Sequence, residues 1–108
     1  MMRWSPALPP RPGCPHRRLL HLLTRTLPLG LTLGASTFRP WASANFVGAR
    51  HIFPAVLAAG DAPAVAAALQ AELTATEWTL PGHIVADVVV EYGGERGALQ
   101  IEILTVED

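Results

Sequence analysis

Residues 77–107, EWTLPGHIVADVVVEYGGERGALQIEILTVE, hold two runs dense in Val, Ile and Leu around a glycine-rich break, and any fold for this chain is built on them. Branched side chains lose rotamer freedom on a helix but pack well on a pleat, so both runs predict strands and the break a hairpin. Alternation sorts the faces. In the first run Ile84, Ala86, Val88, Val90 and Tyr92 point one way, and His83, Val85, Asp87, Val89 and Glu91 the other. In the second, Leu99, Ile101, Ile103 and Thr105 oppose Ala98, Gln100, Glu102, Leu104 and Val106. A one-residue slip would turn a whole set outward, so even positions of the first strand pair with odd positions of the second. The loop then has even length: Gly93-Gly94-Glu95-Arg96, or Gly94-Glu95 as a two-residue turn with glycine at the positive φ. In that register Val90 lies opposite Leu99, Val88 opposite Ile101 and Asp87 opposite Glu102; a register shifted by two keeps the parity, puts Val90 opposite Ile101 and Asp87 opposite Leu104, and removes the carboxylate pair.

Upstream, a helix is predicted from Ala62 to Ala75. Asp61 is placed to cap its free amides, and Pro63 sits in the first turn, where a missing donor costs nothing. Val65, Leu69 and Leu73 make its apolar stripe, with Gln70 and Glu72 outside. Residues 43–58 alternate loosely, with Val47, Ala49, Phe53, Ala55 and Leu57 against Phe46, Arg50, Ile52 and Val56. They predict a strand bulged at Gly48, lying at a sheet edge or broken at Pro54, which cannot donate to a ladder. The order β-α-β-β gives an α+β fold: a small, mostly antiparallel three-stranded sheet with one helix on one face. Residues 41–108 form this domain. A helix over the Ile84/Val88/Ile101 face leaves Val85, Val89, Leu104 and Val106 as an apolar patch, most simply covered by a second copy, so a homodimer is expected.

Residues 1–40 form a separate Pro- and Arg-rich arm, disordered or weakly helical. Prolines at 6, 9, 10, 12 and 15 prevent helix or strand in the first sixteen residues. From Arg17 to Leu27 the chain is amphipathic, with Arg17, Arg18, His21 and Arg25 opposite Leu19, Leu22, Leu23 and Leu27, before Pro28 and Gly30 stop it. Three readings compete. One is a non-functional extension from a start codon set too far upstream. The second is a twin-arginine export signal, with Arg17-Arg18 before the leucines and Ala42-Ser43-Ala44 as cleavage site. The third is an organelle transit peptide or membrane-surface helix. The export pattern lacks a Ser or Thr before the pair and a Phe-Leu after it, and Arg25 interrupts the apolar core. No uninterrupted apolar run approaches the ~18 residues of a transmembrane helix. Residues 35–40 are read as a linker. The expected compartment is cytoplasmic, with export or organelle targeting as the alternative.

All eight basic residues are Arg, a bias attributed to a GC-rich, bacterial genome. The net charge of −1 hides an asymmetry, because residues 1–50 carry seven Arg and no acid and residues 51–108 carry all nine acids. Cys14 is the only cysteine, which excludes a disulfide framework and a Cys-based metal site.

Chemistry-bearing residues are few. His83, Asp87 and Glu91 would share a helix face, but on a strand four residues span ~13 Å, too far to hold one ion. No metal site, nucleotide loop or cofactor is expected. Asp87 and Glu102, placed opposite each other at about 5 Å between Cβ atoms, repel and could raise one pKa, a starting point for acid–base chemistry. His51 falls on the apolar face of its strand and reads as a buried, hydrogen-bonded histidine rather than a base; His83 follows the Pro81-Gly82 turn. Phe38, Arg39, Trp41, Phe46 and Arg50 interleave aromatic and basic side chains as single-strand binders do, but the acidic domain disfavours nucleic acid. The expected function is a homodimeric binding or interaction module. The alternative is a small enzyme using His51 and His83 with Asp87 and Glu102.

Overall fold

The computed structural model describes residues 15–108. The chain runs α1 (Pro15–Thr26), β1 (Leu31–Leu33), β2 (Thr37–Ala42), β3 (Val47–Leu57), α2 (Ala62–Ala75), β4 (His83–Tyr92) and β5 (Ala98–Glu107). All pairings are antiparallel, in the order β1-β3-β5-β4, with β2 beside β1 on the same flank of β3. The class is α+β as expected, but among the described residues the sheet has five strands and there are two helices rather than three strands and one. The strand β2 runs through the boundary expected near Trp41 and absorbs most of the segment read as a linker. Cys14 and most of the proline-rich stretch lie outside the described residues.

The core occupies one side of the sheet. His51, Phe53, Ala55 and Leu57 of β3 and Leu99, Ile101, Ile103 and Thr105 of β5 are buried, as the alternation in both runs requires. Against them pack Ala62, Ala66, Leu69 and Leu73 of α2, and Leu19 and Leu23 of α1, both with no exposed surface. The leucines of the arm are therefore core residues, and α1 is part of the fold. Helix α2 has the bounds its signals predict. Asp61 Oδ1 accepts from the Ala64 amide at 3.1 Å, and the stripe holds Ala62 and Ala66 where Val65 was expected, with Val65 half-buried beside it.

Strand β3 is central, with β5 on one flank and β1 and β2 on the other, which corrects its expected edge position. Pro54 is tolerated for a local reason. Its carbonyl accepts from Gly34 N–H at 2.8 Å, so its nitrogen, which points to the same flank, faces the gap between β1 and β2 where no ladder donor is required. Gly48 sits in continuous register rather than in a bulge; a Cβ there would lie 1.9 Å from the Thr105 carbonyl oxygen.

The hairpin keeps the predicted parity and takes the register shifted by two. Val90 pairs with Ile101, Val88 with Ile103 and Tyr92 with Leu99. Three glycines explain the shift. Gly93 N–H donates to Ala98 at 2.8 Å and closes a four-residue loop over 94–97, in which Gly94 and Gly97 hold positive φ. The four-residue loop is thus offset by one from Gly93-Gly94-Glu95-Arg96. Asp87 lies opposite Leu104 and not opposite Glu102, so the carboxylate pair does not form. The ladder also shifts between Val85 and Asp87, with Ala86 as the extra residue. This bulge inverts the faces: Val85 packs against the core, and Ile84 turns outward, 53% exposed, opposite Val106.

Candidate functional site

Two features other than core packing emerge: an outer sheet face and a hydrogen-bonded histidine pair. The outer face follows from the alternation. Ile52 of β3, Leu104 and Val106 of β5 and Val89 of β4 are half-buried, and Ile84 and Val56 are more than half exposed. Both helices pack on the opposite side, and no described element crosses this one. Of the four residues expected to form the patch, Val89, Leu104 and Val106 lie on it, and Val85 is displaced by the bulge. Register places Asp87, Leu104, Arg50 and Arg39 in one row across β4, β5, β3 and β2. The row is acidic at the β4 edge and basic at the β2 edge. Glu102 neutralises one of the two arginines through a 3.2 Å contact from its Oε2 to Arg50 Nε.

The β4 edge is closed by side chains. Gln70 of α2 donates from Nε2 to the Val88 carbonyl at 2.8 Å and accepts at Oε1 from Val90 N–H at 2.6 Å. The Val88 amide donates to Asp87 Oδ1 at 3.0 Å. Gln70 was expected outside the helix stripe; instead its amide stands in for a neighbouring strand and blocks strand addition there.

On the inner face, His51 is fully buried. Its Nε2 lies 2.9 Å from Thr105 Oγ1, and its Nδ1 lies 2.9 Å from His16 Nδ1, whose Nε2 lies 2.9 Å from Ser36 Oγ. The Thr105 hydroxyl donates to the Ala49 carbonyl at 3.3 Å, which assigns the other protons. Thr105 accepts from His51 Nε2–H, His51 Nδ1 accepts from His16 Nδ1–H, and His16 Nε2 accepts from the Ser36 hydroxyl. This arrangement satisfies every donor and acceptor with both rings neutral. The His16 ring stacks on Phe53 with centroids 5.1 Å apart and meets Phe38 at 4.9 Å. Burial pushes the His51 pKa from 6.5 down to about 4, helped by the repulsion its charged form would meet from protonated His16 and His83, and burial also lowers that of His16. His51 and Thr105 fall at inward positions of two strands, a signal that one must answer the other. His16 and Ser36 carried no such signal, because they reach the site from segments read as arm and linker.

The four candidate catalytic residues do not converge. His51 and His83 are on the core side, where His83 Nδ1 is 3.1 Å from the Pro81 carbonyl; Asp87 and Glu102 are on the outer face. The interleaved aromatic and basic residues also divide: Phe38 turns in to His16, while Arg39 and Arg50 lie outside. Among the described residues no three His, Cys, Asp or Glu side chains are grouped to hold a metal ion, and no helix is long and apolar enough to cross a membrane. A shallow cleft of about 290 Å³ between the end of α1 and α2 is lined by Thr26, Pro28, Val65, Ala68, Leu69 and Glu72, none of them near the histidines. No protein family, curated protein or solved structure matches the chain.

Proposed function

We propose that this chain is a small interaction module that works as a homodimer, its two outer sheet faces packed against each other. The observation that carries the reading is the aliphatic outer face of Ile52, Ile84, Val89, Leu104 and Val106, which no described helix covers. Burying such a surface contributes roughly 25 cal/mol per Å² of apolar area. A second copy fits it by charge. A two-fold axis between the faces, parallel to the strands, exchanges the β4 and β2 edges and brings Asp87 of one copy over Arg39 of the other. Edge-to-edge pairing is the weaker route, because Gln70 and Asp87 occupy the β4 edge and Pro40 interrupts β2.

Sedimentation of the full chain at tens of micromolar tests this. A dimer is expected, and Val89→Asp should render it monomeric with an unchanged circular dichroism spectrum, since it puts two symmetry-related charges in a desolvated interface. Asp87→Arg should weaken the dimer and Arg39→Asp in the same chain should restore it. A wild-type monomer, or a dimer indifferent to Val89→Asp, overturns the reading; a monomer that dimerises on removal of residues 1–14 assigns the cover of this face to that segment instead.

A further inference from the structure

We propose that α1 is an acid-released helix and that its partner, once free, is an anionic lipid surface. This does not rest on the dimer, which uses the other side of the sheet.

The helix is held by its buried Leu19 and Leu23, by His16, and by an exposed bond from Arg18 Nε to the Thr79 carbonyl at 3.1 Å. The tie through His16 depends on protonation. The order Ser36, His16, His51, Thr105, Ala49 carbonyl matches every donor to an acceptor while both rings are neutral. One proton can be absorbed at His16, whose Nε2–H would then donate to Ser36 Oγ, but that leaves an imidazolium packed between Phe38 and Phe53 and half withdrawn from water. A second proton sets N–H against N–H across 2.9 Å. The groups facing His51 are His16 from α1, Phe38 from β2, Phe53 from β3, Thr105 from β5 and a repelling His83 from β4; the one carboxylate on this face of the sheet among the described residues, Glu107 of β5, lies opposite His83 and is not among the groups that shift His51. Protons therefore favour the state in which His16 leaves the sheet.

The released helix has a defined character. Arg17, Arg18, His21 and Arg25 are exposed along one side, Leu19 and Leu23 lie on the other with Leu20 and Leu22 half-buried, and α1 contains no acid. Acid adds charge at His16 once it has left the sheet. Exposed leucines require an apolar phase and the arginines an anionic one, and an anionic bilayer supplies both at one surface. At twelve residues the helix is about 18 Å long, enough to lie in the headgroup region and too short to span.

The test uses flotation of the full chain with vesicles of phosphatidylcholine alone or mixed with phosphatidylglycerol, at about pH 7.5 and about pH 4.5. Binding is expected only to the anionic vesicles in acid, roughly ten-fold above the neutral level. His51→Gln keeps a donor for Thr105 and an acceptor for His16 without titrating, and should move the onset of binding to lower pH. Arg17→Gln and Arg25→Gln together, both at exposed positions and apart from the Arg18–Thr79 tie, should sharply reduce binding while leaving the fold. Amide exchange without lipid, corrected for intrinsic rates, should show α1 losing protection in acid before α2 and β5. Equal binding at both pH values, binding to phosphatidylcholine alone, an unchanged onset in His51→Gln, binding undiminished by loss of the two arginines, or loss of protection in α1 and β5 together would each overturn the proposal.

Discussion

Gly97 shows how much one residue can decide. It holds φ +71°, and a Cβ added there would lie 2.4 Å from the Leu57 carbonyl oxygen, next to the 2.7 Å bond from the Leu57 amide to the Gly97 carbonyl. Gly97→Ala should cost about 1–3 kcal/mol by chemical denaturation, whereas Gly94→Ala, with positive φ but open space, should cost less. His51 makes a different demand. Its folded pKa of about 4 lies below the ordinary 6.5, so the unfolded chain binds the proton more tightly. Its contribution to stability is therefore complete above pH 6.5, falls as the pH drops through that value, and is exhausted below about pH 4. The full difference is about 3 kcal/mol. Denaturation curves across this window should show the loss, and His51→Gln should flatten it.

Among the elements, α2 contributes more than burial. Its alanine-rich body brings the helix close to the sheet, and Gln70 extends from it to the β4 edge as a substitute strand. Gln70→Ala leaves the Val88 carbonyl and Val90 amide without these partners, and should cost about 1–2 kcal/mol and speed exchange at Val90. It should also open the edge to strand addition, visible as slow growth of larger species in scattering, while Gln70→Asn, too short to reach both groups, behaves like alanine. The bulge between Val85 and Asp87 matters as much to β4, since it allows Val85 to reach the core and Ile84 the outer face on a strand that would otherwise present them the opposite way.

At the scale of the whole molecule, a sheet with both helices on one side divides the chain into a closed face and an open one. The row from Asp87 to Arg39 makes the open face electrostatically self-complementary, so the proposed dimer should weaken as ionic strength rises, though not dissociate, since apolar burial is insensitive to screening. Sedimentation at low and high salt reads this directly: a dimer strengthened by low salt fits the Asp87–Arg39 contact, and a salt-independent one removes the charges from the interface. The sheet separates His51 and His83, on its inner face, from Asp87 and Glu102, on its outer one.

The sequence by itself determined whatever depends on period and local chemistry. Strands β3, β4 and β5, their inward residues in β3 and β5, the bounds of α2, its Asp61 cap and the even parity of the hairpin all follow from spacing and backbone chemistry. Tertiary structure decided what depends on a partner distant in the chain. Leu31–Leu33 and the Arg- and Pro-containing Thr37–Ala42 are too short or too irregular to be strands alone, and become strands because β3 supplies their hydrogen bonds. Arg17 to Leu27 looked like a detachable arm because its leucines had no visible counterpart; that counterpart is the face of β3 and β5, made continuous only once those strands pair. The choice between the two hairpin registers goes with the approach of Gly97 to Leu57 in β3, a contact that no local pattern carries. His16, Ser36, His51 and Thr105 are ordinary residues in four segments, and only folding aligns their donors and acceptors, because hydrogen-bond complementarity is a property of positions in space and not of spacing along a chain.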